Sequence, residues 1–183
     1  MIETAIVQTE RLVLRRWRDT DREPFWTMAQ DDEVMRYLLP LPTRRDSDSV
    51  IDRMNLAQDR HGHCFWAAER KEDRRFIGFC GLMAPRAPLC ETEIGWRLDR
   101  SAWGQGYARE GAEAALAWAW RELRAKTIVA ITVPANERSW GLMLRLGMTR
   151  DPADDFDHPA VPEGDPLRRH VLYRIARPQT GRA

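Results

Sequence analysis

Between Thr92 and Val133 the chain carries a strand-like run, a long helix-like run and a second strand-like run, and this unit restricts the possible folds more than any other feature. The first run is Thr92 to Leu98 (TEIGWRL), and the last is Lys126 to Val133 (KTIVAITV), the most β-branched stretch of the sequence. Between them Ala108, Ala112, Ala115, Leu116, Ala119, Trp120 and Leu123 keep to one broad helical face. A strand followed by a helix and another strand permits one parallel pairing, because parallel strands need a long crossover. Pro134 then ends the second strand.

The flanking segments predict a sheet that is otherwise antiparallel. Arg11 to Trp17 alternates as a strand, and Asp19 to Asp21 with Pro24 open a helix through Phe25, Trp26, Met28 and Ala29. Asp31 to Tyr37 reads as a second short helix and Leu38 to Arg45 as a loop. A third helix is expected to be capped by Ser47 or Asp48, with Val50, Ile51, Met54 and Ala57 on one face. Cys64 to Glu69 and Arg75 to Leu82 flank the charged turn Lys71 to Arg74, the pattern of a hairpin. Ser139 to Leu146 is a short helix stopped by Gly147, Asp151 to Pro166 is aperiodic, and Arg169 to Ala176 closes the sheet. The reading is a mixed α/β chain forming a single domain over residues 1–183, with a tail after about Arg177 expected to be disordered.

Composition narrows the function. There are 29 basic and 28 acidic residues, a balance that argues against a dedicated nucleic-acid binder. The three cysteines, Cys64, Cys80 and Cys90, form no C-x-x-C and suit a reducing compartment. Met1 to Trp17 has no long apolar run, so neither a signal peptide nor a membrane span is expected, and the default location is the cytoplasm. His61 and His63 form an H-x-H, but no further ligand cluster accompanies them, so no metal is expected.

The chemistry concentrates in Trp103-Gly104-Gln105-Gly106-Tyr107-Ala108, at the start of the long helix. Two glycines one residue apart let several N–H groups converge, backed by the positive end of the helix, and phosphate oxygens suit such a site. The segment is neither a P-loop, since no G-K-[ST] follows, nor a Rossmann fingerprint, since Arg109 stands where the third glycine belongs.

With Asn136-x-x-Ser139 and Leu146-Gly147-Met148 downstream, and Ile94-Gly95-Trp96-Arg97-Leu98 upstream, the chain resembles the GNAT superfamily of acyl-CoA N-acetyltransferases. It is most similar to the branch of ribosomal-protein N-terminal acetyltransferases, and the resemblance runs from about Thr9 to Arg177, taking in Phe76-Ile77-Gly78, Asp155 to Pro159 and His170 to Tyr173. It implies a central, mostly antiparallel sheet with helices on both faces and a parallel pair that splays apart to admit pantetheine. It implies acetyl-CoA as cosubstrate and Trp103, Gly104, Gln105, Gly106, Tyr107, Ala108 and Arg109 as the pyrophosphate loop. The family usually has Gln or Arg where Trp103 stands; largely main-chain contacts make that difference tolerable.

The resemblance further implies that backbone groups of Trp96, Arg97 and Leu98 anchor pantetheine and that Asn136 binds its amide. Ser139 is the candidate for stabilising or protonating the leaving thiolate, although a serine there equally suits a helix N-cap. Met143 occupies the place of the usual tyrosine, which leaves Tyr107 and Tyr173 as alternative acids. Glu93 is the candidate base, directly or through water, with solvated strand surface as its alternative role. His158 and His170 are candidates for the acceptor pocket. The expected reaction is attack of a primary amine, on a protein N-terminus or a small molecule, in a ternary complex. A non-catalytic coenzyme A-binding module is the competing class, and a homodimer is a reasonable expectation by analogy.

Overall fold

The computed structural model describes residues 5–179. The chain runs through β1 (Ala5–Gln8), β2 (Leu12–Arg15), α1 (Arg22–Met28), α2 (Asp32–Met35) and α3 (Arg44–His61). It continues through β3 (Phe65–Arg70), β4 (Phe76–Met83), β5 (Thr92–Leu98), α4 (Tyr107–Glu122) and β6 (Thr127–Thr132). The last elements are α5 (Glu137–Arg145), β7 (Thr149–Arg150), β8 (Phe156–Asp157) and β9 (Arg169–Ala176). The sheet order is β1-β2-β3-β4-β5-β6-β9-β7, and β8 pairs with β9. Every described pairing is antiparallel except β5 with β6. The expected mixed fold is therefore present, with its single parallel pair where the crossover helix put it.

Helices cover both faces of the sheet. Cys80 pairs with Trp96 across β4 and β5, and this face receives α4. Gly111, Ala112, Ala115 and Ala119 form its buried stripe. Small residues are needed there: a Cβ on Gly111 would lie 3.3 Å from Cys80 Sγ. The neighbouring pair Phe79 and Arg97 points to the opposite face, because side chains alternate along a strand. There Trp17 packs on Phe25 of α1 at 5.2 Å and on Phe76 at 5.5 Å. All eight residues of β4 are buried, as expected of a strand covered on both sides.

A buried ion cluster fixes how α1 enters. Arg15 of β2 holds Asp21, just before α1, at 2.8 Å and Glu69 of β3 at 2.7 Å. Arg15 and Asp21 are almost fully buried, so each charge needs the other.

Some local expectations are corrected. α3 begins at Arg44, capped by Thr43 in a capping box with Asp46, so Ser47 lies buried inside the first turns instead of capping them. β1 adds an edge strand before the expected start of the sheet, and β7 and β8 are two-residue strands, β8 within the stretch read as aperiodic. The C-terminal strand is anchored past its end: Arg177 N–H donates to Lys126 O at 2.8 Å, and its guanidinium donates to Ala125 O at 3.0 Å. The tail expected to be disordered lies, from residue 180 onward, outside the described residues. No described helix is long and apolar enough to cross a membrane.

Candidate active site

The parallel pair separates soon after it forms. β5 and β6 are in register at Thr92–Ile128 and Glu93–Val129. Beyond that point β5 stays paired with β4 through Leu98, and β6 stays paired with β9 through Thr132. Each strand is thus held on its outer side while the inner edges diverge. Main-chain groups of Ile94 to Leu98 on that inner edge are left without a strand partner, which suits an extended ligand bearing amides. The resulting groove encloses about 1330 Å³.

One end of the groove is the loop read as an anion site. Gly104 and Gly106 take φ of 74° and 83°, left-handed values that favour glycine. Gly106 is the N-cap of α4, so the free N–H groups of the first turn open at this point. A Cβ on Gly104 would meet nothing within 4 Å, which leaves space above the loop. Arg11 braces it from behind: Nη1 donates to Gln105 O at 2.9 Å, the guanidinium lies 4.5 Å from the Tyr107 ring centroid, and Glu110 pairs with it at 2.6 Å. Trp103 ties the loop to β5 by donating from Nε1 to Leu98 O at 2.9 Å. Arg138 stacks over Trp103 at 4.9 Å. Arg109 pairs with Glu113 along α4. The loop residues Trp103, Gly104, Gly106, Tyr107, Ala108 and Arg109 all border the groove, whereas the Gln105 side chain turns back to Ser101 O.

The far wall is the start of α5. Asn136 caps it, its Oδ1 accepting from Ser139 N at 3.4 Å, and its Nδ2 donates to Thr132 Oγ1 at 3.0 Å. Ser139 is therefore not the cap; its hydroxyl is left out of the capping, and the residue borders the groove one turn before the buried Met143. Trp96, Arg97 and Leu98 line the opposite wall.

Glu93 stands where the strands begin to part. It is 8% exposed, so the solvated-surface alternative does not hold. Arg86 pairs with it at 2.6 Å. Burial pushes its carboxyl above the ordinary range, and Arg86 pulls the other way. Of the alternative acids, Tyr107 borders the groove beneath Arg11, and Tyr173 is buried in β9.

A second, smaller cavity of about 340 Å³ adjoins the groove, sharing Tyr37, Leu38, Phe65, Phe79 and Arg97 with it. His158 and His170 line it, their rings 5.1 Å apart, and burial lowers both imidazoles below their ordinary value. Sequence reasoning missed Tyr37, which lines both cavities, and, among the groove-lining cations, Arg100 and Arg138. No periodicity or motif marks them. His61 and His63 lie elsewhere: His63 Nδ1 is 2.9 Å from His61 O, and no group of three or more potential metal-ligating side chains occurs among the described residues.

A mixed sheet, a parted parallel pair and a glycine-capped helix start together make up the fold of an acyltransferase domain. The family model described as an acetyltransferase (GNAT) domain matches residues 11–149, and the chain belongs to that family. The Bacillus subtilis protein YkkB, itself uncharacterised, is 31% identical, over 76% of this chain and 83% of its own length. The Bacillus subtilis protein YoaA, named an uncharacterised N-acetyltransferase, is 29% identical, over 80% of this chain and 84% of its own. Among solved structures, RimL, a ribosomal L7/L12 alpha-N-protein acetyltransferase in complex with coenzyme A, superposes with a TM-score of 0.76 at 16% identity, covering 94% of this chain and 97% of RimL.

Proposed function

We propose that this GNAT acetyltransferase moves an acetyl group from acetyl-CoA to a primary amine, on a protein N-terminus or a small molecule, by direct attack in a ternary complex. The observation that carries the reading is the continuity of the parted β5–β6 edge with the glycine-capped start of α4. Acetyl-CoA, when bound, supplies the thioester carbon that the amine attacks.

The chain's own residues do the rest. N–H groups from Gly104 to Arg109 hold the diphosphate oxygens, in the loop that Trp103 ties to β5, while Arg100 and Arg138 add positive charge at the rim. Main-chain groups of Trp96, Arg97 and Leu98 hold the pantetheine amides and polarise the thioester carbonyl. Asn136 binds the same arm, at the cost of its long cap contact. Glu93 takes the proton that the amine must lose, directly or through water, and Ser139 donates to the departing thiolate. Tyr37, at the mouth of the acceptor cavity, is a further proton donor. We place the protein in the cytoplasm, the compartment expected for a chain with three unpaired thiols, and regard a homodimer as its assembly by family analogy.

Met143, buried where the family usually has a tyrosine, favours a second reading, a coenzyme A-binding module without turnover. Thiol release from acetyl-CoA across a panel of peptides and small amines separates the two. Turnover with at least one amine is expected, and Ser139→Ala should lower kcat about tenfold or more with little change in coenzyme A affinity. Tight coenzyme A binding with no thiol release across the panel would establish the module instead.

A further inference from the structure

A cation without a carboxylate partner stands where the two cavities meet. Arg97 borders both of them. Its Nε is buried with no hydrogen-bond partner, and Nη1 reaches only the Met35 thioether, at 3.6 Å. Its guanidinium lies 5.3 Å from the Phe79 ring centroid and 6.0 Å from that of Phe25. Among the described residues no carboxylate pairs with it, and burial lowers its pKa to about 10, so it stays charged at neutral pH. Several other arginines are paired: Arg15 with Asp21 and Glu69, Arg86 with Glu93, Arg174 with Glu91 and Asp154. A guanidinium partly withdrawn from water without a counter-ion is costly, and a carboxylate offers its fork two parallel hydrogen bonds.

The smaller cavity fits that counter-ion. No aspartate or glutamate lines it, and the exposed Arg53 adds a second cation without an ion pair among the described residues. Aromatic and aliphatic side chains, among them Trp17, Leu41 and Val161, make up most of the remaining wall. Glu93 and Arg97 lie on the same face of β5, with about 13 Å of strand between them. An acceptor lying along that face would meet the Glu93–Arg86 ion pair at one end and a cation without a carboxylate partner at the other.

We infer that the acceptor amine carries an apolar body and a carboxylate, and that Arg97 pairs with that carboxylate. This rests on the acetyltransferase reading above and adds a substrate class to it. The same wall disfavours polyamines, whose distant cations would face Arg97 and Arg53.

Two measurements test it separately from acetyl transfer. In the first, phenylpropanoate and its uncharged amide are titrated calorimetrically into protein saturated with coenzyme A. The acid is expected to bind about tenfold more tightly or better, R97M to erase the difference and R97K to keep part of it. Equal affinity for acid and amide in the wild type would overturn the inference, and if R97M does not fold, that comparison decides alone. A parallel fall in coenzyme A affinity in R97M would assign the cation to the cofactor and also overturn it. In the second, thiol release is compared for ε-aminocaproate against hexylamine and for para-(aminomethyl)benzoate against para-methylbenzylamine, with spermidine alongside. A preference for the carboxylate member that R97M removes supports the inference. Turnover indifferent to the carboxylate, or best with spermidine, refutes it while leaving acetyl transfer standing. Arg97-dependent acid binding without turnover of any amine would overturn it together with the transfer reading, leaving Arg97 as a carboxylate-binding group alone.

Discussion

At the scale of the residue, Glu93 shows how much a side chain's surroundings add to its identity. The sequence marks it as a carboxylate on the parting strand; the fold buries it and sets Arg86 beside it. If it is the base, it must be ionised to work, so kcat/KM should fall as pH drops through its pKa. Burial raises that pKa, so the acidic limb should lie above the ordinary carboxylate value of about 4.3. Arg86→Ala removes the opposing pull, and the limb should move to still higher pH. Glu93→Gln should lower kcat about a hundredfold. A pH–rate profile of the three proteins checks this, and a limb unmoved by Arg86→Ala would take the role away from Glu93. Ser139 makes the complementary point. Asn136, three residues earlier, occupies the cap, and only the structure separates the two roles.

At the scale of the element, the start of α4 was legible because its requirement is local. Only a residue without a Cβ adopts the left-handed φ of Gly106 at little cost, and the helix that follows supplies the open N–H groups. Gly106→Ala should therefore weaken coenzyme A binding about tenfold through strain of about 1–2 kcal/mol. Gly106→Pro fixes φ near −65° and removes a donor, so its loss should be much larger. Calorimetric affinities, with thermal unfolding as a check on the fold, test the order; an affinity unchanged in a folded Gly106→Pro protein would dismiss the loop as the diphosphate site. The start of α3 was read too late, although Thr43 and Asp46 spell a capping box, because Ser47 and Asp48 offer the same chemistry within one turn. β7 and β8, of two residues each, are too short for alternation to signal, and β1 (Ala5-Ile6-Val7-Gln8) does not alternate; their edges are defined by the strands they join.

At the scale of the whole molecule, the core sorts the three cysteines. Cys64 and Cys80 are buried, and burial pushes both thiols up to about 12, whereas Cys90 is exposed. Thiolates are the reactive species. One equivalent of iodoacetamide should therefore react rapidly with the native protein, and the other two only as it unfolds, with mass spectrometry placing the first label on Cys90. Rapid native labelling of Cys80 would mean that α4 does not stay seated on β4. Which cations find partners is likewise decided across the molecule: Arg15 meets Asp21 and Glu69 through three separate elements, while Arg97 meets Met35 and rings.

By itself the sequence determined the order of the main elements, the single parallel pairing and the position of the glycine turn that opens α4. Periodicity, helix crossover and glycine dihedrals act within one segment or between neighbours, so residues close in the chain suffice to express them. Tertiary structure alone decided that the expected parting of β5 and β6 falls just after Glu93, that Tyr37 and Arg97 stand at the junction of two cavities, and that Arg97 has no carboxylate partner among the described residues. Those features depend on the distances between side chains far apart in sequence, and electrostatic and packing energies are set by such distances, of which the linear order of residues carries no direct record.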